Sequence, residues 1–153
     1  MHPDDALSGA GAAKIGGRFV PIGTRAIYAS DSEETTFREL TARKDRLAGG
    51  AQFDIDRYPR ITYRVDIAVE RCLDMRSLLN DRDSTELVRR CLDPGDLRTS
   101  QPVGKLLLEG HVQAIIYPSV VGAGFNVVIF RSLVTDQQVS LYRKDELLAL
   151  WQR

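Results

Sequence analysis

Hydrophobic and polar positions alternate, cluster and break along this chain in a way that predicts short strands interleaved with short helices. Residues 1–17 are rich in Gly, Ala and Asp, lack periodicity and read as a loop. A compact apolar run from Thr24 to Ala29 predicts a buried strand. Ser30-Asp31-Ser32-Glu33 offers several N-caps, including a capping box from Ser30 to Glu33, for a helix over about Ser32–Leu47. Phe37, Leu40, the Lys44 stem and Leu47 fall on one face of that helix, and Gly49-Gly50 stops it. Tyr58-Pro59 breaks the chain, after which residues 61–67 alternate as a half-buried strand.

Short helices are predicted at Arg76–Leu79 and Ser84–Cys91, with a turn at Asp93-Pro94-Gly95-Asp96. A longer helix follows over Ser100–Gly110, with Pro102 near its first turn. Two β-branched runs, Val112–Tyr117 and Phe125–Phe130, predict adjacent strands around a Ser119–Gly124 loop that Gly122 and Gly124 mark as a lid. Gln138–Tyr142 is a last strand and Asp145–Trp151 a terminal helix. Nothing reads as a linker or repeat, so the pattern predicts one α+β domain over residues 1–153.

Composition narrows the function classes. Twenty-one basic against twenty-one acidic residues in 153 give no net field to draw the chain onto nucleic acid. No apolar run approaches the ~18–20 residues that span a bilayer, and the acidic start lacks a signal-peptide pattern, so a cytoplasmic protein is expected. Cys72 and Cys91 fit reduced, buried thiols. His2 and His111 stand apart, without metal-ligand spacing.

The candidate chemistry lies in a few polar residues at element ends. Arg18 follows Gly16-Gly17: glycines let backbone approach a ligand, and a guanidinium matches a phosphate bidentately. Its plain alternative is a surface loop arginine. Tyr28 ends an apolar strand, where its ring can stack on a flat heterocycle or simply complete the core. Glu39 sits mid-helix, either paired with Arg43 at i,i+4 or supplying charge to an oxocarbenium-like transition state. Ser119 and Asn126 bracket the glycine loop, as turn residues or as cleft lining.

Taken jointly and in order, Ser8-Gly9, Gly16-Gly17-Arg18, Ala26-Ile27-Tyr28, Glu39, Ser119 and Asn126-Val127-Val128-Ile129-Phe130 resemble the RES-domain toxins of bacterial toxin–antitoxin pairs. The resemblance implies a compact α+β fold like the ADP-ribosyltransferase toxins, with a split central β-sheet flanked by helices. It implies consumption of NAD as substrate, with Arg18 anchoring it and Tyr28 packing on the nicotinamide end. Glu39 would stabilise the oxocarbenium, and Ser119 with Asn126 would line the cleft. Arg18, Tyr28 and Glu39 are thus the expected catalytic set, with no metal. A helix-turn-helix antitoxin of the Xre type is the implied partner, and DNA binding would belong to it.

The pattern departs from the family in two places. Relatives read Gly-Gly-Arg-Trp-Asn where this chain has Phe19 and Val20, and they carry an aromatic-Arg pair about twenty residues before that arginine, where only seventeen residues precede Arg18. Either the site works with one fewer cation or the native chain begins further upstream. The expected acceptor of ADP-ribose is a protein, on the grounds that a short chain missing the N-terminal strand with that pair leaves the cleft open to a macromolecule and that Val20 removes a polar group that would serve a small acceptor. NAD hydrolysis or phosphorolysis is the alternative, and a non-catalytic interaction domain is the second.

Overall fold

The computed structural model describes residues 2, 5–47 and 61–151. The order of elements is α1 (Ala10–Ile15), β1 (Ala26–Ser30), α2 (Glu33–Leu47), β2 (Val65–Ile67), β3 (Cys72–Asp74), α3 (Met75–Leu78), α4 (Thr85–Leu92) and α5 (Leu97–Glu109). Then come β4 (Ala114–Pro118), β5 (Phe125–Phe130), a 3-10 turn (Arg131–Leu133), β6 (Val139–Leu141) and α6 (Lys144–Trp151).

The sheet is split as expected. Four strands run in the order β1-β5-β4-β3, antiparallel except for the parallel β3–β4 pair, and β2 pairs with β6 in a separate antiparallel ribbon. Residues directly opposite in antiparallel strands share a face. Ala26 with Phe130, and Tyr28 with Val128 and Ile115, therefore line one side, and Ile27 with Ile129 and Ala114 the other. Each side has its own core. The first gathers Phe19, Val20, Met75, Val88, Cys91, Ile115, Tyr117, Val128 and Phe130. The second gathers Ile27, Ala114, Ile129, Val134 and Val139. Burial on both faces explains why β4 and β5 read as unbroken apolar runs.

Several local expectations change. Residues 10–15 form a helix, entered through Gly9 at φ 70° and left through Gly16 at φ 73°, backbone that disfavours side chains. The cap of α2 comes from Ser32, whose Oγ accepts from Thr35 N–H at 3.1 Å, and Ser30 turns elsewhere. Phe37 is half in solvent rather than in a buried stripe, while Leu40 is partly covered. The side chains of Lys44 and Leu47 lie outside the described ones, as do Gly49-Gly50 and Tyr58-Pro59 altogether.

Helix α5 begins at Leu97 because Asp96 caps it, accepting from Arg98 N–H at 2.9 Å, which moves Pro102 into the helix interior. Only Val65–Ile67 of the 61–67 run pairs as a strand. Cys91 is buried, but Cys72 on the edge strand β3 is exposed. No helix among the described residues is long and apolar enough to cross a membrane.

Candidate functional site

Three strand ends meet at one end of the main sheet. Ser30 closes β1, Asn126 is the second residue of β5, and Ser119 follows the last residue of β4. The register places Ser30 opposite Asn126 and Asn126 opposite Tyr117, so these three share the face that carries Tyr28. Helix α2 starts just beyond β1 and lays Glu39 against this row.

Glu39 accepts from the Ser119 hydroxyl at 2.8 Å and from Asn126 Nδ2 at 2.6 Å. Both bonds fall on Oε1, and Oε2 has no partner among the described residues. The donors are buried and Glu39 is partly exposed, so the carboxylate is gripped from within and open on its outer side. Glu39 is thus tied to residues 80 and 87 positions away, beyond any local helix pairing. The Arg43 side chain lies outside the described ones.

Two further bonds brace the donors. Ser30 Oγ donates to Asn126 Oδ1 at 2.7 Å, and Ser119 Oγ accepts from Val121 N–H at 3.2 Å. The Ser119–Gly124 loop is closed at its neck by Ser119 N–H bonding Gly124 O at 2.9 Å. A Cβ on Gly124 would overlap Thr35 and Asp31 of the α2 start, so this glycine permits close packing rather than freedom.

Tyr28 is half-exposed and its hydroxyl accepts from Phe19 N–H at 3.2 Å, linking β1 to the Gly-Gly-Arg loop. A Cβ on Gly17 would lie 2.6 Å from Tyr28 Cζ, so glycine is required there by the tyrosine. Arg18 Nη1 donates to the carbonyls of Cys91 at 3.1 Å and Asp93 at 3.2 Å. A cation on the carbonyl end of α4 is favoured by the helix dipole, so Arg18 has a structural task beside any ligand.

The core residue that joins the set is Tyr117. Its ring meets Phe19 edge-on, with centroids 5.0 Å apart. Burial drives its phenol well above the usual range; the neighbouring Tyr28 adds to this, Arg18 opposes it and Glu39 adds again. The residues nominated separately by sequence, Arg18, Tyr28 and Glu39, thus all act electrostatically on one buried phenol. Ser119 and Asn126 join through Glu39. Ser30 and Tyr117 are the members that sequence reasoning passed over; the pairing of strand ends, unreadable without register, is what reveals them.

Phe19 and Val20, which stand where relatives carry Trp and Asn, are both buried, at 0% and 1% exposure. Gln101 of α5 donates to the carbonyls of Gly17 and Val20, and a Cβ on Gly104 would collide with the Phe19 carbonyl. These contacts clamp the loop onto α5. Among the described residues no group of three or more His, Cys, Asp or Glu is placed to hold a metal ion.

Fold and site define a class: a mixed α+β domain whose sheet end holds one carboxylate between a serine and an asparagine. Residues 2–150 match the family model of the RES domain, and the chain belongs to that family. It is similar to the NAD(+) phosphorylase MbcT of Mycobacterium tuberculosis and of Mycobacterium bovis. The identity is 28% over 153 residues, covering 97% of this chain and 80% of the relative. The crystal structure of the M. tuberculosis MbcT–MbcA toxin–antitoxin complex shares its fold, with a TM-score of 0.64 at 24% identity over 95% of this chain and 83% of that one.

Proposed function

We propose that this chain is the toxin of a toxin–antitoxin pair and that it cleaves the nicotinamide–ribose bond of NAD with inorganic phosphate as acceptor. The observation that carries the reading is Glu39, doubly donated on Oε1 and open on Oε2. The name of the similar mycobacterial proteins, NAD(+) phosphorylase, supports the choice of acceptor.

In the proposed reaction a phosphate oxygen attacks the anomeric carbon of the ribose. The carbon–nitrogen bond breaks, and its electron pair neutralises the pyridinium as nicotinamide leaves. The products are nicotinamide and ADP-ribose 1-phosphate. Positive charge grows on the ribose between bond breaking and bond making, as in glycoside cleavage. The Glu39 carboxylate, held in one orientation before substrate arrives, stabilises that charge without reorganisation, with Oε2 accepting from a ribose hydroxyl. Nicotinamide leaves from a cation, so no second carboxylate is required as general acid. Tyr28, 38% exposed, is assigned the nicotinamide end, and Arg18, which like Tyr28 acts on the Tyr117 phenol, the anionic parts of the dinucleotide. Ser119 and Asn126 act through Glu39.

A protein acceptor has less support. Of its two grounds, the loss of a polar group at Val20 falls away, because Val20 is a buried core residue. The non-catalytic reading needs Glu39 as a plain surface pair, and its tertiary bonds count against that. An antitoxin of the helix-turn-helix, Xre type is the proposed partner, supported by the toxin–antitoxin complex that shares the fold. The cytoplasm, where NAD and such a partner meet, is the proposed compartment.

The test is chromatography and phosphorus NMR of NAD incubated with purified protein, with and without phosphate, and with lysate. Nicotinamide and ADP-ribose 1-phosphate forming only with phosphate is the expected result. Free ADP-ribose would assign hydrolysis, and a mass increase on lysate proteins would assign protein ADP-ribosylation. No nicotinamide under any condition would remove the enzyme reading.

A further inference from the structure

We propose that Ser30 is a positioning residue: by donating to Asn126 Oδ1 it holds the amide in place so that Nδ2 donates to Glu39. The inference deepens the NAD-cleavage reading and rests on it for its catalytic consequence.

An asparagine side chain has two orientations of nearly the same shape, related by exchange of its oxygen and its amino group. Against Glu39 they are opposite in effect. One gives Oε1 a proton; the other sets a carbonyl dipole against a carboxylate. The acceptor-only carboxylate excludes the second, and Ser30 holds the amide in the first. Its hydroxyl lies 2.7 Å from Asn126 Oδ1, the carboxylate lies 2.6 Å from Nδ2, and the ionised carboxylate cannot donate. The Ser30 proton therefore goes to Oδ1, and Nδ2 is left to face Glu39.

The arrangement is built into the sheet. Ser30 and Asn126 are direct partners in the antiparallel β1–β5 ladder, so the short serine side chain reaches across without strain in either strand. The hydroxyl donates to the amide and the amide to the carboxylate, a chain of hydrogen bonds that ends on Oε1 and in which each bond polarises the next. Ser119 supplies the second donor from β4, itself held by Val121 N–H. A glutamate side chain loses rotamer freedom when fixed. Two aimed donors offset that loss before substrate binds. Ser30 itself lies behind Asn126, away from Oε2, so its influence passes through the amide.

The experiment compares the parent, Ser30→Ala, Ser30→Thr, Asn126→Ala and Ser30→Ala/Asn126→Ala proteins by steady-state nicotinamide release and by NMR of the side-chain amides. Loss of an orienting bond behind a functional group costs about tenfold. Ser30→Ala is expected to lower kcat by about that factor with KM little changed, and Ser30→Thr, which keeps the hydroxyl, to restore it. The double variant should be no slower than Asn126→Ala alone, because Ser30 acts only through that amide.

In the spectra, the Asn126 amide pair, assigned by its loss in Asn126→Ala, should show two resolved, slowly exchanging protons in the parent and in Ser30→Thr. In Ser30→Ala the two protons should stay distinct, because the amide C–N bond does not rotate freely, but the pair should shift and exchange faster with solvent. This arm needs no turnover. A parent that releases no nicotinamide would overturn the proposed reaction, and the amide resonances would still judge Ser30. An unchanged Asn126 pair in Ser30→Ala, or Ser30 and Asn126 losses that multiply, would overturn the positioning role.

Discussion

Glu39→Gln separates charge from shape at the centre of the site. Glutamine has the size of glutamate, but only its carbonyl oxygen accepts hydrogen bonds. Ser119 and Asn126 both donate to Oε1, so the amide must turn its oxygen to them and place its amino group where Oε2 was. The group facing the ribose changes from an anionic acceptor to a neutral donor, on the side where positive charge develops. Removing one preorganised electrostatic group costs ~10²–10³ in turnover, or roughly 3–4 kcal/mol of barrier.

The stability cost is smaller. A hydrogen bond to a charged acceptor contributes about 1 kcal/mol more than one to a neutral acceptor. Two such bonds give about 2 kcal/mol, and partial exposure of Glu39 reduces this toward 1. For a domain of this size that is a fall in Tm of roughly 2–4 °C. The assay is nicotinamide release with saturating NAD and phosphate, set beside thermal unfolding of the same samples. A Glu39→Gln protein that turns over at the parental rate would refute the charge argument, whatever its Tm.

Arg18→Ala is expected to weaken NAD binding and also to destabilise the fold by ~1–2 kcal/mol, because it strips a charged donor from the carbonyls of Cys91 and Asp93. Calorimetric NAD titration beside denaturant unfolding measures both; normal stability with weakened binding would show the α4 contact to be idle. Alkylation in native buffer should add one label, at the exposed Cys72, and a second at Cys91 only after unfolding. Burial raises the Cys91 thiol, and partial desolvation with the Asp74 charge raises that of Cys72, so even the Cys72 label should form slowly at neutral pH, as intact-mass spectra over time will show.

The fold was readable wherever one local signal decided it. β5 matches its apolar run residue for residue, and α2 begins one residue after the expected Ser32. Where tertiary contacts decide, the reading failed. Gly9-Ala10-Gly11-Ala12 has too little periodicity to declare a helix, yet α1 forms because its Ala12 joins the core and glycines at both ends accept positive φ. Cys72-Leu73-Asp74 is too short to register as a strand, and it exists because β4 offers a parallel edge. The start of α5 was missed by three residues because Asp96, read as a turn residue, also caps the helix, and its carboxylate turns back to bond the Arg98 side chain at 2.9 Å.

The site shows the same division more sharply. Arg18, Tyr28, Glu39, Ser119 and Asn126 were each named from sequence, but each had a bland reading of equal standing, because spacing along one element cannot reveal partners on another. For Glu39 the rule of i,i+4 pairing sees Arg43 and nothing else. The partners that fix it stand just past β4 and on β5, and the β1–β5 register sets Ser30 beside one of them, Asn126. Val20 makes the converse point. As a departure from a motif it looked like a lost polar group in the cleft, and its burial beside Phe19 makes it a packing residue. A motif position therefore carries chemistry only when its side chain faces the site, and facing is a property of register and packing. That is why one carboxylate, two donors and the serine behind them, drawn from separate parts of the chain, form a hydrogen-bonded cluster that no single stretch encodes.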